Sequence, residues 1–309
     1  MKSVLGLALC RKGSLQSVNT RATLNPRDVR RRFDRAAGSF DSADFVHAVT
    51  RDGLLARLEP LLLDAKNVLD LGSATCSAQQ PLRKRFTRAH VVSLDASHNM
   101  LRQGRQKRSW FSRASGIRSS YVQADASRLP FEDHSIDLVF SNQLLSCISD
   151  PDGVFSEVAR VLRKGGVFAF ATLGPDSLLE ISRAWSAVDD HAHVNRFLDM
   201  HDIGDAAVRS GLRDPVLDVD RLTVRYESCS KLFADLTCVG ARNALRQRNS
   251  TLVGRHRFEK MLAALQGHSD DGKITLELEL VYGHCWGGGP RMDPSSFRID
   301  PSDIPRRRK

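Results

Sequence analysis

The stretch Asn67-Val68-Leu69-Asp70-Leu71-Gly72 decides the fold. It is too short for a stable helix and too uniformly apolar for a strand with one wet face, so it suits a parallel strand buried on both sides. Gly72 ends it with the backbone freedom that a tight turn and close approach to a ligand require. Working outward, the pattern repeats. His90 to Asp95, Ser120 to Asp125, Ile136 to Ser141 and Val167 to Thr172 read as further strands. Helices are expected over Ala78 to Arg88, over Ser97 to Lys107 with Ser97 as N-cap, and over Pro151 to Leu162 with Gly165-Gly166 beyond its end. Strands alternating with helices at this spacing imply a doubly wound, mostly parallel sheet with helices on both faces.

On the N-terminal side, Arg30 to Phe40 and Phe45 to Leu63 carry apolar residues at helical spacing. Beyond Thr172, helices are expected over Asp176 to Val188 and Asp202 to Ser210, the second stopped by Gly211, with a polar and aromatic loop from His191 to Phe197 between them. Val216 to Tyr226 and Ile274 to Tyr282 read as closing strands, with Cys229 to Leu245 a helical cover. The expected organisation is a disordered leader (1–24), a helical lid (25–63), a ligand-binding core (64–174), a substrate-covering insertion with the closing strands (175–286) and a disordered basic tail (287–309).

With 41% hydrophobic and 27% charged residues among 309, the composition is that of an ordinary soluble domain. No apolar run approaches the roughly 18–20 residues needed to span a bilayer, so no membrane partner is expected. The leader has no acid before Asp28 and weakly resembles a mitochondrial transit peptide, but a solvated terminus of a cytoplasmic protein is the plainer reading. The six cysteines are scattered without a C-x-x-C pair, which fits reduced thiols rather than a disulfide framework or zinc ribbon. His191 and His193 lack a nearby third ligand, so no metal site is expected. Much of the net charge of +10 lies between Arg83 and Arg118, where Asp95 is the only acid. That stretch is either a solvated helix face or a docking surface for a polyanion.

The chemistry sits at the carboxyl ends of the strands, where open α/β sheets bind ligands. Asp70 and Gly72 close the first strand. Asp95, about 25 residues on, closes the second, where a carboxylate accepts both hydroxyls of a ribose. Asp125 closes the third, near an adenine amino group, and Asn142 follows the fourth, beside the reacting centre. The absence of a G-x-G-x-x-G loop argues against a dinucleotide pyrophosphate. S-adenosylmethionine carries no phosphate and needs no such loop.

Asp70-Leu71-Gly72, Leu94-Asp95-Ala96-Ser97, Asp125-Ala126 through Leu129-Pro130-Phe131, and Phe155 through Gly165-Gly166 resemble the successive motifs of class I methyltransferases, a Rossmann-like fold on a seven-stranded sheet. More narrowly, Phe33-Asp34-Arg35-Ala36-Ala37 with Phe40-Asp41, Phe170 to Leu178, and His193-Val194-Asn195-Arg196-Phe197-Leu198 resemble the malonyl-acyl-carrier-protein O-methyltransferases of biotin synthesis. The resemblance implies methyl transfer from S-adenosylmethionine to the free carboxylate of a malonyl thioester. It implies cofactor contacts at Asp70, Gly72, Ala74, Asp95, Ala96, Asp125, Ala126 and Asn142, with an acidic acyl carrier protein, not nucleic acid, as partner. A carboxylate is already ionised near pH 7, so no general base or other catalytic residue is expected. Arg196 is the candidate for orienting the malonyl carboxylate, because guanidinium suits fork-like carboxylate recognition.

Two departures stand out. Gly72-Ser73-Ala74-Thr75-Cys76 occupies the place of the family's usual Gly-Cys-Gly-Thr-Gly, and Phe40 stands where many relatives have Tyr. A positive φ at Ala74 or Cys76 would cost of order 1 kcal/mol or more, and the Cys76 thiol would intrude on the cleft. The altered loop keeps a second reading open, a non-catalytic binding or assembly factor. The basic leader keeps a third, a methyltransferase acting on a respiratory-complex subunit.

Overall fold

A computed structural model describes residues 23–107, 119–248, 253–267 and 272–289. Most of the expected leader and tail, and Arg108, Arg113 and Arg118 of the basic stretch, lie outside the described residues.

The sheet forms as the apolar runs dictate. Strands β1 (Asn67–Leu71), β2 (His90–Asp95), β3 (Ser119–Gln123), β4 (Ile136–Asn142), β5 (Leu162–Leu173), β6 (Leu212–Tyr226) and β7 (Ile274–Gly287) make a seven-stranded sheet of order β3-β2-β1-β4-β5-β7-β6. The first five are parallel; β7 runs antiparallel between β5 and β6. The order reverses between β1 and β4, which is the switch point where a doubly wound sheet opens a crevice.

Because successive strand residues face opposite ways, each central strand feeds two cores. Leu69, Leu71, Val139, Phe168 and Phe170 pack on one face, and Val68, Val91, Leu138, Phe140 and Val167 on the other. The first core is covered by α5 (Pro151–Val161) and α7 (Met200–Ser210), the second by α2 (Phe45–Leu58) and α3 (Gln79–Arg85). Helix α4 (His98–Lys107) follows β2. A third cluster joins α6 (Leu179–Ser186), α8 (Cys229–Cys238) and α9 (Arg255–Gln266) to Tyr226, Ile274 and Leu276 at the ends of β6 and β7.

The helix starts follow local chemistry. Asn25 accepts from Arg27 N at 3.1 Å ahead of Pro26 in α1 (Pro26–Ala36), and Asp150 accepts from Gly153 N at 3.0 Å ahead of Pro151. Gly211, at φ +96°, stops α7. Most elements are shifted or trimmed by a few residues. Strand β3 ends at Gln123, so Asp125 lies two residues beyond it rather than closing it, and two further shifts bear on the site. Phe40 lies in a separate turn of 3-10 helix (Phe40–Ser42), because α1 begins and ends four residues early. Strand β5 starts at Leu162, with Gly165 at φ +75° in the irregular register opposite Ile136 and Leu138. Among the described residues, no helix is long and apolar enough to cross a membrane.

Phe155 is fully buried with its ring centroid 5.6 Å from that of Phe168 and 6.0 Å from that of Phe170. Phe155→Ala is expected to cost about 3–5 kcal/mol in urea unfolding, since this tightly packed trio leaves little room for collapse.

Candidate active site

The turn after β1 is where the sequence departs from its resemblance, and the structure shows how the turn is kept. Gly72 takes φ +74°, and a Cβ there would lie 2.9 Å from Leu144 Cβ, so only glycine fits without strain. Gly72 N and Ser73 N both donate to Leu94 O, at 2.8 and 3.0 Å, tying the turn to β2. Ala74 (φ +45°) and Cys76 (φ +59°) are both left-handed. Each therefore carries about 1–2 kcal/mol of strain that glycine would not. Both φ values lie in the region that glycine adopts freely.

Two contacts hold it. Ala74 N donates to Asp95 Oδ2 at 2.9 Å. The Cys76 side chain turns onto α4 at Gly104, where an added Cβ would meet Cys76 Sγ at 2.5 Å. A missing side chain on α4 makes the room that the extra side chain on the loop needs. Burial pushes the Cys76 thiol up to about 12, so it stays protonated, and it does not line the cleft.

That cleft is a cavity of about 580 Å³ at the switch point. Gly72, Ala74, Asp95, Ala96, Asp125, Ala126 and Asn142 all line it. Asp95 Oδ1 also accepts from Ser97 N at 2.8 Å, and loss of solvation raises the carboxyl to about 6. Asp125 is exposed, with Oδ1 holding Ser127 N at 2.9 Å and Ser127 Oγ at 2.8 Å. Asn142 differs from its expected part. Its Nδ2 donates to His47 O at 2.8 Å and its Oδ1 accepts from Thr50 Oγ1 at 2.8 Å, so its amide clamps α2 to the tip of β4.

Asp70 stands behind the wall rather than on it. It is 2% exposed, Oδ2 has no hydrogen-bond partner, and burial followed by repulsion from Asp95 pushes it up to about 8. Two acids crowded at neighbouring strand tips suit a cationic ligand and oppose an anionic one. S-adenosylmethionine, with a sulfonium and an ammonium, fits this electrostatic demand; a pyrophosphate would aggravate it.

The N-terminal segment closes over the cavity. Val29, Arg30 and Phe33 of α1, with Phe40 and His47, complete its lining. Side-chain contacts fasten the segment to the sheet side. Ser97 Oγ donates to Asp34 Oδ1 at 2.7 Å, Thr75 Oγ1 to Asp41 Oδ1 at 2.6 Å, and Thr50 Oγ1 to Asn142 Oδ1. Lys107 pairs with Asp41 as well.

A second cavity of about 490 Å³ adjoins the first, and Val29, Phe33, His47, Gln143 and Cys147 line both. Of these five only Phe33 belongs to a stretch that carries the resemblance, and none was expected as a site residue. Gln143 is buried at φ +65°, a strained conformation for a residue with a side chain. Leu173 N donates to Ser146 Oγ at 3.2 Å, and Ser146 Oγ donates to Gln143 Oε1 at 3.1 Å. This relay fixes the amide and leaves Gln143 Nε2 buried without a partner. His47 is pushed down to about 4 by burial, hence neutral, and its Nδ1 is likewise unpartnered.

Arg196 requires a correction. Asn195 and Phe197 line the second cavity, but Arg196 between them is exposed and lines neither. The described basic residues from Arg83 to Lys107 also line neither cavity. Arg85 is engaged instead with Leu58 O at 2.5 Å and Arg88 with Asp64 at 3.4 Å. His193 stacks on Trp185 at 3.7 Å and bonds Asp189 Oδ1 at 2.8 Å, which makes both rings part of the second cavity's wall. Among the described residues, no three His, Cys, Asp or Glu side chains stand close enough to hold a metal ion.

Residues 69–170 match a methyltransferase domain family. The chain is 40% identical over 277 residues to a malonyl-[acyl-carrier protein] O-methyltransferase of Methylovorus sp. (strain MP688), covering 87% of this chain and 94% of that one. A protein of the same name from Halorhodospira halophila is 37% identical, covering 96% of this chain and 99% of its own. Among solved structures, the YcgJ protein of Bacillus subtilis has the same fold at TM-score 0.54 and 17% identity, over 77% of this chain and 98% of that one. A putative methyltransferase of Haloferax volcanii follows at TM-score 0.53 and 21% identity, over 86% and 100%.

Gly104→Ala is expected to lower the melting temperature, because its Cβ collides with Cys76 Sγ at 2.5 Å and Thr75 O at 2.9 Å, and Cys76→Gly in the same chain is expected to restore part of the loss by removing the first clash. Additive effects in that double-mutant cycle would contradict the contact. Asp70 supplies a pH signature. Its folded pKa of about 8 lies above the ordinary value near 3.9, so its contribution is fully present below pH 4 and lost as pH rises through about 8. Without ligand, Asp70→Asn should flatten the fall in melting temperature between pH 5 and 8; identical slopes for the two proteins would count against the buried acid.

Proposed function

The chain belongs to the malonyl-[acyl-carrier protein] O-methyltransferases, and on that premise we propose that its joined cavities methylate the free carboxylate of a malonyl thioester carried by an acyl carrier protein, using S-adenosylmethionine. The observation that carries the proposal is the wall shared by the two cavities, which lets one reactant occupy each and meet at His47, Gln143 and Cys147. The bound cofactor supplies an electrophilic methyl on a positively charged sulfur.

Everything else is the work of the protein's own residues. Asp95 spends one lone pair of each oxygen on the loop and on Ser97, which leaves others to accept ribose hydroxyls. Asp125 and Ala126 bound the nucleobase end, and the backbone at Gly72 and Ala74 bounds the amino-acid end. Asp70, uncharged without ligand, ionises when a cation arrives beside it.

The acceptor is ionised near pH 7, so no proton has to be removed and no base is required. What remains is alignment and the exclusion of water. Gln143 Nε2 and His47 Nδ1 are neutral groups lacking partners at the junction, and the incoming carboxylate provides the acceptor for them. Neutral donors suit this task, because a cation such as Arg196 would hold the carboxylate's charge back from the methyl. Arginine is better placed where the substrate's charge is permanent.

The product is a neutral ester. With its charge hidden, it passes to the enzymes that extend fatty acyl chains towards pimelate and biotin, a setting that we place in the cytoplasm. The left-handed φ values of Ala74 and Cys76 are ones glycine takes freely, which supports the catalytic reading over a non-catalytic scaffold.

Labelled methyl is expected on malonyl-acyl carrier protein and not on its succinyl counterpart, whose longer acid overshoots the junction; label on neither would refute the proposal. Gln143→Leu is expected to raise KM for the malonyl carrier about tenfold or more, the cost of a lost bond to a charged group, with cofactor affinity unchanged.

A further inference from the structure

We propose that Arg32, Arg242 and Arg248 form a subsite for the phosphate that joins the carrier protein to the pantetheine arm of its thioester. The inference rests on the malonyl-carrier reading above and adds a recognition element to it.

The second cavity is built for a long, uncharged chain. Leu178, Ile181, Trp185, Phe233, Leu236 and Phe258 line it, and the wall shared with the cofactor cavity forms one side. A thioester whose carboxylate reaches that wall trails its arm through this apolar space. The arm ends in a phosphate, so the cavity needs a cationic edge.

Arg32 of α1 supplies one part of that edge, and Arg242 and Arg248, from the segment after α8, supply the rest. Their charges are poorly matched without a ligand. Asp28 is the carboxylate at hand, and Arg248 takes it at 2.6 Å. The Arg32 guanidinium donates to the backbone carbonyl of Arg242 instead. Burial, then repulsion from Arg248, lowers the Arg32 pKa, and Arg242 adds to the repulsion. Arg32 and Arg248 share the single carboxylate of Asp28, while Arg242, whose Nε donates to Thr237 Oγ1 at 3.1 Å, adds a third positive charge near Arg32. Such crowding is unfavourable unless an anion joins it, and guanidinium forks match phosphate oxygens in pairs. The fourth arginine of this cavity, Arg257, is already paired with Asp189.

The experiment compares malonyl-phosphopantetheine with malonyl-pantetheine as methyl acceptors, since the two differ only in the phosphate. The natural chain is expected to prefer the phosphorylated thioester by roughly tenfold or more in kcat/KM, as befits charge-assisted bonds. In R32Q/R242Q that ratio should fall to about twofold or less. Equal kcat/KM for the two thioesters in the natural chain overturns the subsite while leaving the methylation reading intact. Turnover of neither overturns both. A preference that survives in the variant overturns the assignment to these residues. Should R32Q/R242Q not fold, calorimetric binding of phosphopantetheine to R32Q, compared with R32K, replaces it: loss in R32Q with retention in R32K supports the subsite, and equal binding in both overturns it.

Discussion

Two acids desolvated at neighbouring strand tips govern this structure. The parallel sheet brings the tips of β1 and β2 side by side in one poorly solvated corner, where burial and then Asp95 raise Asp70 to about 8, and burial raises Asp95 to about 6. Neighbouring parts accommodate that corner. The Ala74 N–H turns onto Asp95, which fixes the loop in a left-handed course despite its side chains. Gly104 yields space to Cys76 so that the course can be kept. A corner that is costly without a cation and favourable with one suits the proposed binding of a cationic cofactor better than a stabilising role.

The two cavities extend this logic. Asp34, Asp41 and Thr50 fasten the N-terminal segment at the first cavity, each reaching a partner on the sheet side. The Asp34 and Asp41 contacts explain why Phe33-Asp34-Arg35 and Phe40-Asp41 carry information: their acids are fasteners, not chemistry. In the proposed reaction the shared wall is where the acceptor meets the methyl, with apolar groups around it to keep water away. A reaction whose nucleophile is already ionised gains little from acids and bases and much from such confinement.

The strand tips were legible because a buried parallel strand leaves a continuous apolar run and a small or acidic residue at its end. Asp95, Asp125 and Gly72 follow from that pattern, and all three line one cavity. Other features depend on contacts that no local pattern records. Arg196 lies beside two cavity residues, yet the irregular chain there turns it outward. Asn142 sits at the expected place, but its amide is taken by α2. Gln143 shows nothing in the sequence of its positive φ, or of the relay from Leu173 through Ser146 that sets its amide. Helix α9 went unread because exposed Arg255, His256, Arg257 and Glu259 outnumber its buried Met261 and Leu265.

The most direct measurement is the number of protons released when S-adenosylmethionine binds, obtained by calorimetry at pH 7 in buffers of differing ionisation enthalpy. An Asp70 raised to about 8 is mostly protonated before binding and ionised after it, so the account predicts release of about one proton, abolished in Asp70→Asn. Binding with no proton release, or with the same release in Asp70→Asn, would contradict it.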